Sequence, residues 1–277
     1  MHLSSLLTSL IIPSLTFHLP SVLGQLTGPV GPTTSLPTKI AKKACDITAY
    51  GANPNSSSDV APALAAAFQA CKSGGIIVVP PGTYRLSTFV NLSGGSGWAL
   101  QLDGTIVRDP ALTKQGNLIF IQHASDVEVF SSTGAGAIQG DGYLMHAAGS
   151  ISGPRLLRFY DVTGFSVHDI KLVDSPAFHL TLDTCKNGES YNMPIRGADH
   201  GGLDGIGLWC ENMWIHDVSD SLFAAVSICI SYGCSQSPPP PHPPPAAPAR
   251  PEGMGVTRPQ RKTGTKKRAP ANHSHPR

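Results

Sequence analysis

Phe165-Ser-Val-His-Asp-Ile170, Ser190-Tyr-Asn-Met-Pro-Ile195 and Asn212-Met-Trp-Ile-His-Asp217 recur at about 24 residues. Each is an apolar alternation that ends near a polar turn, and alternation with a period of two marks a strand with one buried face. Short strands that return at a steady interval imply a coil. Each turn of such a coil buries its inward residues only against the neighbouring turns, which is a parallel β-helix. A β-sandwich with accidental spacing is the competing reading of three imperfect repeats.

Upstream, short runs at Ile76 to Val79, Ala99 to Leu102, Leu118 to Gln122, Val127 to Phe130 and Leu156 to Tyr160 are rich in β-formers and separated by Gly, Asp and Asn. Only one long helix is expected before Asp217. Residues 59–72 place Val60, Leu64, Phe68 and Cys71 on one helical face, with Pro62 in the first turn and Gly74-Gly75 as the stop. The first rung of a β-helix has an open core and an unpaired backbone edge, and this amphipathic helix is a natural cover for both.

The far end needs a cover too, and there the pattern dissolves. From about Ser219 the chain reads Asp-Ser-Leu-Phe-Ala-Ala-Val-Ser-Ile-Cys-Ile, then the run Pro238 to Pro245, then a basic stretch with Arg261-Lys262 and Lys266-Lys267-Arg268. The formal charge of +2 averages two unlike segments: residues 1–235 carry 12 Lys/Arg against 17 Asp/Glu, and residues 236–277 carry 8 against 1. Twelve of the 25 prolines also fall in those last 42 residues, so the tail is compositionally separate and is expected to be disordered. A Pro-rich ligand or a nucleic-acid patch is the alternative for the tail. The mildly acidic body argues against a nucleic-acid patch, and no nucleic-acid partner is expected.

Met1 to Gly24 has a short polar start, an apolar stretch through Leu15 and Val22-Leu23-Gly24 before Gln25, which reads as a secretory signal peptide. A membrane anchor is the alternative, but Pro13 and Pro20 interrupt a stretch already too short to span about 30 Å of hydrocarbon. No membrane association is expected. Secretion permits disulfides, and Cys45 and Cys71 flank the predicted helix 26 residues apart, so they are expected to be bridged. Cys185, Cys210, Cys229 and Cys234 lack metal-ligand spacing, and no metal is expected. Asn55-Ser-Ser57 and Asn91-Leu-Ser93 are glycosylation sequons on what should be a secreted surface.

Residues able to carry chemistry gather after Asp183: Asp183 itself, Arg196, Asp199, His200, Asp204, Trp209, His216 and Asp217. Hydrolysis of a glycoside needs two carboxyl groups flanking the bond, about 6.5–9.5 Å apart when water attacks directly. Stacked strands about 4.8 Å apart can supply them from adjacent rungs. Asp204, between Gly201-Gly202 and Gly205, is the best single candidate for catalysis, because glycines let a sugar approach the backbone closely. Asp-Gly is equally ordinary turn chemistry. Arg196 suits a uronate carboxylate, His200 and His216 are candidate substrate contacts or solvated turn residues, and Trp209 and Trp214 are a sugar-stacking platform or core.

These strings resemble a known family. Gln25-Leu-Thr-Gly-Pro-Val-Gly-Pro-Thr-Thr34, Lys42-Lys-Ala-Cys45, Ala70-Cys-Lys-Ser-Gly-Gly75, Gln101-Leu-Asp-Gly104, Phe165 through Asp174-Ser-Pro-Ala-Phe-His179 and Gly201-Gly-Leu-Asp-Gly-Ile206 are similar to the rhamnogalacturonan hydrolases, a branch of the polygalacturonase-type glycosidases of glycoside hydrolase family 28. The resemblance runs from about Gln25 to Val218. It implies a right-handed, pectin-lyase-like parallel β-helix, with the amphipathic helix as its N-terminal cap. It also implies inverting hydrolysis of galacturonate–rhamnose linkages in pectin by an extracellular monomer without cofactors. Where polygalacturonases carry Asn-Thr-Asp-Gly, this chain has Gly202-Leu-Asp-Gly205, so the resemblance makes Asp204 the catalytic carboxylate and points to the rhamnogalacturonan branch.

Two departures accompany it. Gly207 stands where family members place an Asp, and Phe223-Ala-Ala-Val-Ser-Ile-Cys229 stands where the next rung supplies an acidic pair about 21 residues on. The expected organisation is therefore a signal peptide (1–24), a partial β-helix (25–218) incomplete at its C-terminal end, and an aberrant Pro-rich basic tail (219–277) of the kind a retained intron or a frame change produces. The expected activity of this chain is low, with a homogalacturonan-cleaving polygalacturonase or a non-catalytic pectin-binding remnant as the alternative functions.

Overall fold

The computed structural model describes residues 26–150, 152–197, 204–221 and 225–228. The expected signal peptide, His200 and the chain from 229 onward lie outside the described residues. In chain order the elements are α1 (Leu36–Lys42), β1 (Ala44–Asp46), β2 (Asn55–Asp59), α2 (Ala61–Cys71), β3 (Ile76–Val79), β4 (Thr83–Leu86), β5 (Val90–Ser93), β6 (Ala99–Leu102) and β7 (Thr105–Arg108). Then follow β8 (Gly116–Phe130), β9 (Ala137–Gln139), α3 (Gly142–Ala147), β10 (Pro154–His168), β11 (Lys171–Val173), β12 (Leu180–Arg196), β13 (Asp204–Ser221) and β14 (Ala225–Ile228). Every pairing between these strands is parallel. The coil read from the sequence is present, and a sandwich is excluded.

The coil has three faces, each with an inward ladder of apolar residues. On the first face Leu92, Ile121, Phe159, Leu182 and Leu208 stack in register. On the second the ladder is Ile77, Leu100, Val129, Val167, Ser190 and Ile215. On the third it is Tyr84, Ile106, Ile138, Leu172 and Ile195. Most of these side chains are fully buried, so each rung is held by the apolar surface of its neighbours.

The long strands β8, β10, β12 and β13 turn from the first face to the second at residues with left-handed backbone. Asp126, Asn187 and Asn212 mark one corner, and Asp169, Asn192 and Asp217 mark the next. Asn and Asp tolerate this conformation better than other L-residues with a Cβ, which is why these side chains recur at the bends. The three stretches that decide the fold occupy consecutive rungs. Phe165 pairs with Gly188, just before Ser190, and Ser190 pairs with Ile215, just after Asn212, so the register departs from the alignment that spacing alone suggests, because loops between rungs differ in length and the β12–β13 pairing shifts register between Asp183 and Lys186.

Helix α2 covers the first rung as expected. Leu64, Ala67 and Phe68 are buried, Phe68 meets Trp98 edge-on with ring centroids 5.1 Å apart, and Cys71 is bridged to Cys45. The two further helices, α1 and α3, are short. A segment before α1 runs across the corners of successive rungs as a strap. Thr27 donates its N–H to Asn212, Gly31 to the Asn187 carbonyl, and Thr33 and Thr34 to Asp126. At the other end the backbone pairing continues to Ser221, and β14 adds to β13, past the point where the sequence alternation dissolves.

Candidate active site

The outward side of the first face collects the polar and aromatic residues. Asn91, Phe120, Arg158, Thr181 and Gly207 form one outward row, and Gln122, Tyr160, Asp183 and Trp209 form the next. Strand alternation puts them there: their neighbours in each strand are the buried Ile119, Ile121, Leu157, Phe159, Leu180, Leu182, Ile206 and Leu208.

Arg158 donates through Nη2 to Asp183 Oδ2 at 2.8 Å, and both remain reachable at 25% and 29% side-chain exposure. Its guanidinium lies over Phe120 at 5.2 Å and Tyr160 at 5.6 Å. Arg155 lies over Phe178 at 5.2 Å. Burial, followed by the positive charge of Arg158, depresses its pKa. Thr184 donates its hydroxyl to the other Asp183 oxygen. The surface is therefore a cationic and aromatic platform with one carboxylate held in place.

Asp204 is the first residue of β13, the strand that contributes Gly207 and Trp209 to these rows, and its register partner in β14 is Ala225. Its side chain lies outside the described residues. Trp209 is half-buried in the same strand, where a Cβ on Gly207 would come within 3.0 Å of its ring. A side chain at position 207 would therefore require that indole to shift slightly.

Arg196 is placed elsewhere. It closes β12 on the third face, pairs with Val173 and Ser221, and is exposed. The structure thus groups Trp209 and Asp183 but sets Arg196 on a different face. Trp214 and His216 lie on the second face, in a ring ladder with Phe130, His168 and Tyr191, so the two tryptophans do not share a platform. In that ladder, burial disfavours the His168 cation, but hydrogen bonds to Glu128 and Asp169 outweigh it and raise the pKa. Asp217, and then Glu189, raise that of His216.

Arg155 and Arg158 were not legible as site residues. The signal available was the pattern Arg-Leu-Leu-Arg, in which two consecutive buried leucines break the alternation and bring both arginines to the same side. Asn55 and Asn91, the sequon residues, are both exposed, and Asn91 accepts a hydrogen bond from Gln122 at 2.9 Å. Cys185 and Cys210 are unbridged thiols on adjacent rungs. Among the described residues no group of three or more His, Cys, Asp or Glu side chains is arranged to hold a metal ion, and no helix is long and apolar enough to cross a membrane.

No family model matches the chain. Individual relatives do. It is 59% identical over 196 residues to probable rhamnogalacturonase B of Aspergillus oryzae, a match covering 71% of this chain and 36% of that protein. It is 56% identical over 197 residues to rhamnogalacturonase A of Emericella nidulans, covering 71% of this chain and 38% of that protein. The chain thus spans little more than a third of the length of the curated relatives it matches. Among solved structures, the endo-xylogalacturonan hydrolase of Aspergillus tubingensis superposes with a TM-score of 0.58 at 23% identity, over 64% of this chain and 51% of that one.

Fold and ladder geometry define a right-handed parallel β-helix of the type built by family 28 glycosidases. Sequence then narrows the class: over its matched residues, the chain belongs to the rhamnogalacturonase family.

Proposed function

We propose that the chain is a secreted pectin-directed glycosidase of the rhamnogalacturonan-hydrolase type. Its outward first face receives a galacturonate–rhamnose backbone, and Asp204 is its carboxylate at the cleavage point. The observation that carries this reading is the place of Asp204: it heads the strand that also carries Trp209, one rung on from Asp183 and two from Arg158, where a polysaccharide lying along the rungs would reach it. Trp209 offers an apolar plane to a sugar ring, and the arginine side supplies donors to acidic and hydroxyl oxygens.

Inverting hydrolysis places one carboxylic acid on the leaving oxygen and a second carboxylate on the attacking water. Asp204 can fill only one of these roles. Its neighbour across the ladder is Ala225, and Phe223 to Cys229 holds no carboxyl group. This favours a second reading for the 277-residue polypeptide, binding with little or no turnover. The Pro-rich basic stretch after Ser219 fits an origin outside the ancestral enzyme. Transcript reads across the Val218–Ser219 codons that splice into an acidic rung would bear this out, and uniform unspliced coverage would sink it.

The direct test is reducing-sugar release from debranched rhamnogalacturonan and from homogalacturonan by the secreted protein and its Asp204→Asn variant, with substrate binding measured in parallel. Binding to rhamnogalacturonan without release supports the incomplete-site reading. Release that disappears in Asp204→Asn would show that the carboxyl partner is supplied from elsewhere in the chain. Failure to bind any pectic polymer would overturn the assignment to pectin.

A further inference from the structure

Strand alternation places Arg158 outward, but Arg155, three residues earlier, has the opposite parity and belongs inside. It is not inside. Leu156 and Leu157 are both fully buried, which breaks the alternation between them. Leu156 donates its backbone N–H to the Phe178 carbonyl and Leu157 donates to that of His179. Arg155 emerges beside Phe178, within electrostatic reach of both Arg158 and Asp183. Two guanidinium groups therefore share one surface with one carboxylate.

That carboxylate is already engaged, since Asp183 accepts from Arg158 at 2.8 Å. Arg155 has no ion-pair partner among the described residues, its Nε is buried without a hydrogen-bond partner, and it is only half-exposed. A half-buried guanidinium beside a second cation, with an unsatisfied donor, is electrostatically unfavourable unless an anion completes it. The Phe178 ring, 5.2 Å from the guanidinium, backs the planar group with a cation–π contact.

We infer that Arg155 is the residue that binds a uronate carboxylate of the polysaccharide, with the Arg158–Asp183 pair beside it. This rests on the proposed pectin-directed function and adds to it the group that distinguishes an acidic backbone from a neutral one. Arg196, on the third face, is not needed for that role.

The test is calorimetric titration of the full secreted chain with an alternating galacturonate–rhamnose oligosaccharide and with its carboxyl-reduced counterpart. Wild type should bind the acidic oligomer roughly 10–100-fold more tightly, the range for one charge-assisted hydrogen-bonding group. Arg155→Gln should bind the acidic oligomer only as tightly as wild type binds the reduced one, and Arg155→Lys should fall between. Equal affinity of wild type for both oligomers overturns the inference without any variant. So does a folded Arg155→Gln protein that keeps the preference for acid. In both cases the pectin-directed reading stands. If wild type binds neither oligomer, that reading and the inference fall together.

Discussion

Asp204 and Ala225 stand directly opposite each other, Asp204 at the head of β13 and Ala225 at the head of β14, in parallel register. On the proposed reading an inverting pair draws its second carboxyl group from this neighbouring rung, where the sequence from Phe223 to Cys229 contains no Asp or Glu. General acid or base catalysis contributes about 10²–10⁴-fold to such reactions. The 277-residue protein is therefore expected to release reducing ends from rhamnogalacturonan at least about a hundredfold more slowly than a rhamnogalacturonase with both carboxyl groups assayed beside it. Comparable rates would disprove the role of the missing carboxylate.

His168 gives the fold a pH dependence. Its Nε2 faces Glu128 at 3.3 Å and its Nδ1 faces Asp169 at 2.7 Å, while the buried Lys39 also reaches Glu128. The folded state raises the His168 pKa above its ordinary 6.5, so the protonated ring stabilises the fold. That contribution is complete below pH 6.5 and is lost as pH rises through the raised value. Thermal midpoints should fall between pH 6 and 8.5, and His168→Gln should flatten the slope. A profile unchanged by the substitution would rule the ring out as its source.

The Cys45–Cys71 bridge closes a loop of 26 residues around the capping helix. Chain entropy makes such a loop worth roughly 3–4 kcal/mol. A Cys45→Ala/Cys71→Ala protein should lose about that much in urea denaturation. Loss of under about 1 kcal/mol would mean that packing of α2 on Trp98 suffices.

Arg108 is almost wholly buried and bonds backbone carbonyls of Asp109, Pro110, Leu112, Gly140 and Asp141. Burial depresses its pKa, and the nearby acids Asp141, Asp109 and Asp174 oppose that. Replacing it with Met deprives these carbonyls of their donor and should cost about 3 kcal/mol or more. Denaturation midpoints of Arg108→Met and Arg108→Lys decide it, the lysine being expected to recover little because it lacks the planar fork.

Ser190 sits in the inward ladder between Val167 and Ile215, fully buried, with its hydroxyl unpartnered among the described residues. Removing an unpaired buried hydroxyl is favourable, so Ser190→Ala should stabilise by about 1 kcal/mol. Destabilisation would show that the hydroxyl is satisfied.

Period-two alternation made the strands legible, and helical spacing of Val60, Leu64, Phe68 and Cys71 made the cap legible, because both patterns follow from burying one side of a local element. The cysteine pair around that cap was legible for the same reason. What tertiary structure decided was which outward residues meet. Partners on the second face, Leu100 with Val129, Val129 with Val167, Val167 with Ser190 and Ser190 with Ile215, are 29, 38, 23 and 25 residues apart. No single period predicts such a ladder, since inter-rung hydrogen bonds set the register while loops absorb the difference in length. Arg196 looked like a site residue because it is close to Asp204 in sequence, yet a coil puts it a face away. Arg155 looked like any strand residue, and only the consecutive burial of Leu156 and Leu157 turned it toward Asp183.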